Sequence, residues 1–439
     1  MIVETIMLVY VSIEGNGIGG NLGNNNKFYK MELHDDSTLI KTYGRIGTEG
    51  QTIQSKGGKK EFDKIKREKE AKGYKELKLE TNSSTSIKID LESIVLSQIE
   101  YKDDESKELL KYLINQNIHN VVSNTNIKFD INTGVFSTPL GVVKKEEVVK
   151  AQDILQSIKN FLHKYNNKVT ESTISKQDLI EFKLLNENYF FIIPTKIDNL
   201  KLFNNLLISW EKVELQEDIC SSLLTSIEFI EKEKNNKIAE VKKDTTIDKI
   251  FNTKVELVTD KKILDKINKY FESSKNRQHG YNVNSSKIKN IYKIHIENEH
   301  KNFNKSNLDN VMELWHGTKV CNLLSILKSS LLLPKQSPGQ VTGYMFGQGL
   351  YFSNQSTKSL NYCDGMYWNN KTKGKFAYMF LCSIAMGNYQ VPRTSTSKMP
   401  DKGHHSYWAQ PGKSGIMNDE MIVFSNEQIK LDYLLEIEV

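Results

Sequence analysis

The sequence predicts a multidomain α+β protein: a small antiparallel-sheet domain at 1–82, an all-helical bundle at 88–235 and a mixed antiparallel-sheet domain at 240–439. Three observations carry this reading. At 439 residues the chain is too long for one ordinary core, so two or three domains are expected. Apolar residues alternate with period two in Lys27–Leu33 and Ile40–Gly47, as half-buried antiparallel strands do. Between about 88 and 235 the spacing changes to three and four, the stripe of a buried helix face.

Composition narrows the classes. The chain is 38% hydrophobic and 26% charged, ordinary for a globular protein. No run of about eighteen apolar residues predicts a membrane span. The opening Met1–Tyr10 carries an early acid and no basic region, and reads as a strand rather than a signal peptide. Cys220, Cys321, Cys363 and Cys382 are scattered without a CxxC, which argues against disulfides and a structural zinc and fits a reducing compartment. A net charge of +6 permits nucleic-acid binding without arguing for it.

In chain order, Met7–Ile13 is an apolar strand followed by Gly15-Asn16-Gly17-Ile18-Gly19-Gly20. The glycines satisfy GxGxxG, but no helix opens after them, so the segment reads as a polar loop rather than a dinucleotide site. The two alternating strands follow, then a basic helical run over Lys59–Lys78 and a short polar linker at Thr81–Ser86. In Val142–His163, Val148, Ala151, Leu155, Ile158 and Leu162 form one stripe; Leu109, Leu110, Leu113 and Ile114 form another. Lys232–Lys237 reads as a charged break. Lys261–Ser273 reads as a helix with Ile263, Leu264, Ile267 and Tyr270 on one side, Ile288–Ile296 as a strand, Glu297–Asn310 as a polar loop and Leu431–Val439 as a final strand.

The last domain holds the chemistry-bearing residues. Leu314-Trp315-His316-Gly317-Thr318 is followed by Val341–Phe352, by Lys358-Ser359-Leu360-Asn361-Tyr362-Cys363 and, far downstream, by Asn418–Phe424. This order sets a His, two tyrosines, a Ser and a Glu at the ends of short β-like runs, beside glycines that allow close backbone approach. Such a set can hold a flat ring between tyrosines and keep one carboxylate for sugar chemistry. Taken singly, His316 reads as a structural histidine, Tyr351 and Tyr362 as core aromatics, Ser359 as a cap or surface serine and Glu420 as one acid among many. Their ordered occurrence is what points to a site.

These pieces resemble the catalytic domain of the poly(ADP-ribose) polymerases, with its His-Tyr-Glu triad of His316, Tyr351 and Glu420. The first unit resembles a WGR domain, its triplet here reading Tyr43-Gly44-Arg45 with Tyr in place of Trp, and Lys27 standing where the family has a lysine near the DNA backbone. An aromatic face stacks on an exposed terminal base or sugar, and a guanidinium forks onto a phosphate. From the residues alone, Tyr43 reads rather as a core or strand aromatic and Arg45 as a surface charge; the resemblance is what turns the reading toward DNA. Thr138-Pro139-Leu140-Gly141-Val142 resembles the turn that starts a long helix in the family's helical regulatory subdomain, and Asn188–Pro194 its loop before a later helix.

The resemblance implies an ADP-ribosyltransferase fold in the last domain and NAD+ as substrate, with no metal. It implies cleavage of the nicotinamide–ribose bond through an oxocarbenium-like transition state. Gly317 would bond the nicotinamide carboxamide through its main chain and Ser359 through its hydroxyl. Tyr362 would stack on the ring and Tyr351 support it. His316 would bind the adenosine ribose, with Thr318 replacing a serine nearby. Glu420 would bond the ribose hydroxyl beside the breaking bond and activate the acceptor, with Lys358 next to it. Implied partners are damaged DNA (a nick or end with a 5′-phosphate), acceptor proteins including the chain itself, and no membrane. The implied location is the nucleus for a eukaryotic source and the cytoplasm otherwise.

Departures leave alternatives open. The family's Gly-Leu-Arg reads Ser330-Leu331-Leu332, removing a cationic contact to the adenosine half. The loop from Lys398-Met399-Pro400 to Glu420 is short, although His405-Ser406 echoes a family Lys-His-Ser. The resemblance covers nearly the whole chain and points to the short, WGR-plus-catalytic members, with no zinc fingers before the WGR-like unit. The readings are a DNA-break-stimulated poly-ADP-ribosyltransferase, a mono-ADP-ribosyltransferase of the same architecture, and a catalytically weak DNA-end scaffold.

Overall fold

The alternating segments at the start form an antiparallel sheet. The computed structural model describes residues 1–10, 27–45, 50–77, 91–130, 135–138, 141–195, 202–241, 251–333, 345–369 and 376–439. The glycine-rich loop, the polar linker, the Pro139-Leu140 turn and Val341–Tyr344 lie outside the described residues. Strands β1 (Ile2–Tyr10), β2 (Lys27–His34), β3 (Thr38–Arg45) and β4 (Gln51–Lys56) lead into helix α1 (Gly58–Ala71) and strand β5 (Lys75–Leu77). The sheet order is β4-β3-β2-β1-β5. Period-two patterning puts Ile6, Leu8, Tyr29, Met31, Leu33 and Leu39 on one face, where Phe62 of α1 packs against them. The helix expected to reach Lys78 therefore stops at Ala71, and β5 pairs with β1 to finish the sheet.

Helix α2 (Leu91–Gln98), strand β6 (Glu100–Tyr101) and helix α3 (Asp104–Asn124) come next. Strands β7 (Lys128–Asp130), β8 (Val135–Thr138) and β9 (Gly141–Val142) make a three-stranded sheet inside the expected bundle. Helix α4 (Lys145–His163) buries Val148, Ala151, Leu155, Ile158 and Leu162, the stripe its spacing predicts. Helix α5 (Lys176–Ile192) is capped by the Ser175 hydroxyl, which accepts from the Asp178 N–H. The loop expected at Asn188–Pro194 is mostly the last turn of α5, because Tyr189 and Phe190 are buried and keep the helical spacing. Tyr189 donates to Gln216 Oε1 at 2.9 Å, tying α5 to helix α6 (Trp210–Val241). The charged break expected at Lys232–Lys237 is helix: the run contains no Pro or Gly, and Lys and Glu are good helix formers.

Strand β10 (Thr253–Leu257), helix α7 (Lys261–Ser273), helix α8 (Tyr281–Ser285) and strand β11 (Lys287–Ile296) follow. Asp260 caps α7 by accepting from the N–H groups of Lys262 and Ile263. The expected polar loop after β11 is helix α9 (Glu297–Ser306), whose Glu299 is buried; an acid-rich first turn suits a helix N-terminus. Next come strand β12 (Val311–Gly317), helix α10 (Val320–Ser329), strand β13 (Leu350–Phe352), helix α11 (Ser356–Leu360), and strands β14 (Phe376–Ala385), β15 (Tyr389–Gln390), β16 (Ser406–Ala409), β17 (Glu420–Val423) and β18 (Ile429–Glu438).

The chain divides into two compact units, Met1–Asp90 with Ile118–Ile230, and Leu91–Asn117 with Glu231–Val439. Thus the segment from α2 into α3, expected in the helical bundle, belongs to the second unit. There β6 pairs in parallel with β10, and Asp103 Oδ2 accepts from the Leu257 N–H at 2.9 Å. The second unit holds a six-stranded sheet, β12-β14-β18-β11-β10-β6, and a four-stranded sheet, β13-β17-β16-β15. Its main core joins Ile267 and Phe271 of α7 to Trp315, Met379, Leu381 and Leu435 of the larger sheet. Among the described residues no helix is long and apolar enough to cross a membrane.

Candidate active site

An isolated bridge between Trp315 and Ser353 ties the larger sheet of the second unit to the end of β13 in the smaller one, and His316 and Tyr351 lie beside it. Trp315 donates its N–H to Ser353 O at 2.8 Å, and Ser353 N–H returns a bond to Trp315 O at 3.1 Å. Trp315 is held from below by Tyr270, stacked at 5.0 Å, and by Ser274 Oγ, which accepts from its indole N–H at 3.0 Å. The bridge sets His316 beside β13, where its Nδ1 lies 3.1 Å from Tyr351 O. A carbonyl can only accept, so Nδ1 carries the proton and Nε2 keeps its lone pair. Burial pushes the His316 imidazole below its ordinary range and keeps the ring neutral.

Gly317 has no room for a side chain: a Cβ there would lie 1.8 Å from Ser359 O. Only glycine lets β12 run this close to α11. Ser359 is buried, and its hydroxyl donates to Trp315 O at 2.9 Å. Its hydroxyl therefore fastens α11 to β12 beside His316, and its lone pairs remain for a donor. Thr318 Oγ1 accepts from Asn322 Nδ2 at 3.4 Å in the first turn of α10.

Tyr351 is pinned by its own hydroxyl, which donates to Gly347 O at 2.8 Å and accepts from the Phe346 N–H at 3.0 Å. Gly347 sits at φ +85°, a conformation glycine takes freely, and makes that short turn possible. The Tyr351 ring packs against Phe346, Tyr407 and Ile422. It is a fixed wall rather than a mobile aromatic.

Glu420 opens β17, where it pairs with Ala409 of β16. Its Oε1 lies 2.6 Å from Lys358 Nζ, and both side chains are largely buried, 18% and 13% exposed. Lys358 also donates to Asp419 O at 3.1 Å. Burial lowers the Lys358 ammonium from its ordinary range, against the pull of Glu420. The pair lies in a cleft of about 880 Å³ that Tyr362, His279, Met345, Tyr367, Trp368 and Asn418 also line. Volumes of this order accept a drug-sized ligand.

Some contributors escaped sequence reasoning. His279 Nδ1 lies 2.7 Å from Thr357 Oγ1, and burial lowers its pKa. Asn276 Nδ2 donates to Gln355 Oε1 and to Asn418 Oδ1, each at 3.1 Å, and so fixes the segment before Glu420. Trp408 donates its indole N–H to Asp419 Oδ1 at 2.7 Å. No local pattern marks Asn276, which joins segments 79 and 142 residues away.

The residues expected at a DNA end lie in the first unit. Lys27 is the Cα partner of Arg45, Phe28 of Gly44 and Tyr29 of Tyr43. Lys27 is exposed and Tyr43 half-buried. Tyr43 stacks on Tyr29, with centroids 5.5 Å apart and planes at 16°. Tyr29 also meets Lys69 Nζ, 3.9 Å from its ring centroid. The Arg45 side chain lies outside the described residues.

Residues 261–415 match the poly(ADP-ribose) polymerase catalytic domain and residues 11–81 the WGR domain. The first match takes in His316, Gly317, Thr318, Tyr351, Lys358, Ser359 and Tyr362; Glu420 lies just beyond it. The chain is similar to Poly [ADP-ribose] polymerase 2 of Zea mays, 23% identical over 95% of this chain and 69% of that protein. It is similar to the Arabidopsis thaliana protein of that name, 24% identical over 94% of this chain and 71% of that one. Poly [ADP-ribose] polymerase 1 of Oryza sativa subsp. japonica is 26% identical over 71% of this chain, which spans only 33% of its length. Both ends of the molecule carry the same attribution, a WGR domain in the first unit and the transferase domain in the second, and on that ground the chain belongs to the poly(ADP-ribose) polymerase family of NAD+ ADP-ribosyltransferases.

Proposed function

We propose that this chain cleaves NAD+ at the nicotinamide–ribose bond and passes ADP-ribose to protein acceptors, itself included, and to growing chains, when its WGR domain meets a DNA break with a 5′-phosphate. The observation that carries the reading is the Lys358–Glu420 pair, 2.6 Å apart in one cleft with Tyr362.

The chemistry follows from where charge develops. Loss of nicotinamide leaves a cationic sugar, and a fixed carboxylate stabilises it more than it stabilises neutral ground states. Glu420 bonds the ribose hydroxyl next to the breaking bond and accepts the proton of the attacking hydroxyl. Lys358 holds the carboxylate in place and takes no part in bond breaking. His316 Nε2 accepts from an adenosine ribose hydroxyl, a role open only to the neutral ring. Tyr362 and Tyr351 flank the nicotinamide, whose carboxamide meets the main chain of Gly317 and the Ser359 hydroxyl. In the first unit, Lys27, Tyr43, Gly44 and Arg45 form the DNA-end contact. The units of function are residues 1–82, 88–235 and 240–439, and the setting is the nucleus and DNA repair.

A second reading, transfer of single units, is favoured by Leu332, which is 60% exposed where the family carries a cation. Labelled NAD+ incubated with the full chain and nicked, 5′-phosphorylated DNA separates the two. A ladder of long products on a sizing gel is expected; one shifted band with no ladder would replace the chain-building reading by single transfer.

A further inference from the structure

Ser330 holds a backbone conformation that its own side chain opposes. It caps the end of α10 at φ +63° and ψ −173°, a region essentially reserved for glycine. Asn166, Asn167, Asn307 and Asn310 share the positive φ, but asparagine tolerates it. A strained conformation persists only where its surroundings hold it. The Ser330 N–H donates to Ile326 O at 2.7 Å, and its hydroxyl donates to the Glu299 carboxylate. Glu299 is 6% exposed, and its other oxygen accepts from the Leu431 N–H at 2.7 Å. One buried carboxylate on α9 thus ties the end of α10 to β18. The chain then leaves α10 in a set direction: Leu331 enters the core, Leu332 faces out, and the Leu333 N–H donates to Asn426 Oδ1 at 3.1 Å. At the other end of α10 the Val320 N–H donates to the buried Asp364 Oδ2 at 2.5 Å, and Asn322 of the first turn bonds Thr318. His316 and Gly317 are fixed independently, by Tyr351 O and by the close approach of Ser359 O.

We propose that Glu299 and Ser330 form a positioning latch for the adenosine half of the NAD+ donor. This rests on the transferase reading above. The carboxylate holds a serine in a glycine conformation, and that hold keeps α10 in place, with Thr318 just before its first turn and Leu332 just past its last. Releasing the hydroxyl leaves the strained backbone free to relax, which turns the exit of the chain and shifts the end of α10. The nicotinamide end is spared, because Gly317 and Ser359 are locked to each other without the latch. Glycine at this position needs no such hold, and the Gly-Leu-Arg pattern carries one there; the serine of this chain needs it. Both latch residues act through α10 and stand outside the cleft of Lys358 and Glu420.

The test titrates the full chain calorimetrically with two probes. One is an NAD+ analogue whose nicotinamide is replaced by carbon-linked benzamide and so cannot be cleaved; the other is benzamide alone, which fills only the nicotinamide end. Ser330→Ala keeps the Cβ and loses the hydroxyl, and should weaken the analogue about fivefold or more, the low end of what such strain costs. Benzamide affinity should stay within about twofold, as for an independent site. Ser330→Gly loses the hydroxyl and the strain together, and should recover most of the analogue affinity. Glu299→Gln should weaken the analogue by itself and change nothing further when combined with Ser330→Gly. Melting temperatures check that each variant is folded; should Ser330→Ala not fold, the two Glu299→Gln comparisons decide alone. Equal analogue affinity in wild type, Ser330→Ala and Glu299→Gln overturns the latch and leaves the transferase reading standing. Ser330→Gly as weak as Ser330→Ala also overturns it, as does a parallel loss of benzamide. Failure of the wild type to bind the analogue strikes the transferase reading itself.

Discussion

Glu420 and Lys358 meet from different elements, β17 and α11, and their pairing in a mostly buried position makes each dependent on the other. Glu420→Gln should leave NAD+ binding largely intact and lower transfer by roughly 10²–10³ in rate, because an oriented charge beside the cationic sugar is lost. Measured kcat for nicotinamide release, set against analogue affinity, checks this; wild-type kcat in the variant would remove Glu420 from the reaction. Glu299 tests the buried electrostatics away from the site. It accepts from the Leu431 N–H at 2.7 Å and from the Ser330 hydroxyl, which belongs to a residue at φ +63°. Burial, aided by Asp432 and opposed by these bonds and Lys430, pushes its carboxyl up to about 7. A folded value above the unfolded one stabilises the protein below the unfolded pKa of 4.5, and that stability erodes as pH rises through about 7. Between pH 5 and pH 8.5, Glu299→Gln should gain on wild type by about 3 kcal/mol in unfolding free energy. Parallel stability curves for the two proteins would contradict it. Residues of this kind differ in legibility. His316, Tyr351, Tyr362 and Glu420 could be singled out as candidates because they sit in ordered motifs, whereas the burial of Glu299 and the links of Asn276 come from distant segments and leave no local pattern.

At the scale of elements, periodicity located helices well where one face meets a core. The bounds of α7 and the buried stripe of α4 were legible for that reason. Polar composition misled at α9 and at the end of α6: α9 owes its helix to an acidic first turn and the buried Glu299 rather than to an apolar stripe, and the end of α6 continues a long helix without Pro or Gly. Pairing of β6 with β10 could not be read at all, since two residues decide it across more than 150 positions. That pairing changes how the helical segment should be cut. Removing 88–235 would take away β6, Asp103 and the start of α3, which belong to the second unit. Replacing 118–230 by a flexible linker should spare that unit and raise activity without DNA, if the segment restrains the transferase. A cooperative melt combined with unchanged DNA-free activity would contradict a restraining role. In the first unit, Tyr43→Trp keeps the stack on Tyr29 and enlarges the exposed ring face. Nicked DNA should bind it at least as tightly as wild type, with a contact worth roughly 1–3 kcal/mol at stake. Weaker binding with a lowered melting temperature would make Tyr43 a packing residue.

For the whole molecule, two domains sit in separate units: the WGR domain in the first, and in the second the transferase domain with the Lys358–Glu420 cleft. Both domains are legible in the sequence because each is carried by compact motifs. The coupling of DNA binding to transfer proposed above has no compact motif of its own to mark it. Coupling of this sort is an energy that links binding to rate, and it is measured as a ratio. The most direct measurement is nicotinamide release from NAD+ by the intact chain, titrated with nicked, 5′-phosphorylated DNA and, in parallel, with a closed unbroken duplex. The account predicts saturable stimulation by the nicked DNA, little by the closed duplex, and a stimulation reduced in Arg45→Ala while the DNA-free rate holds. An identical rate with nicked DNA, closed duplex and no DNA would contradict it.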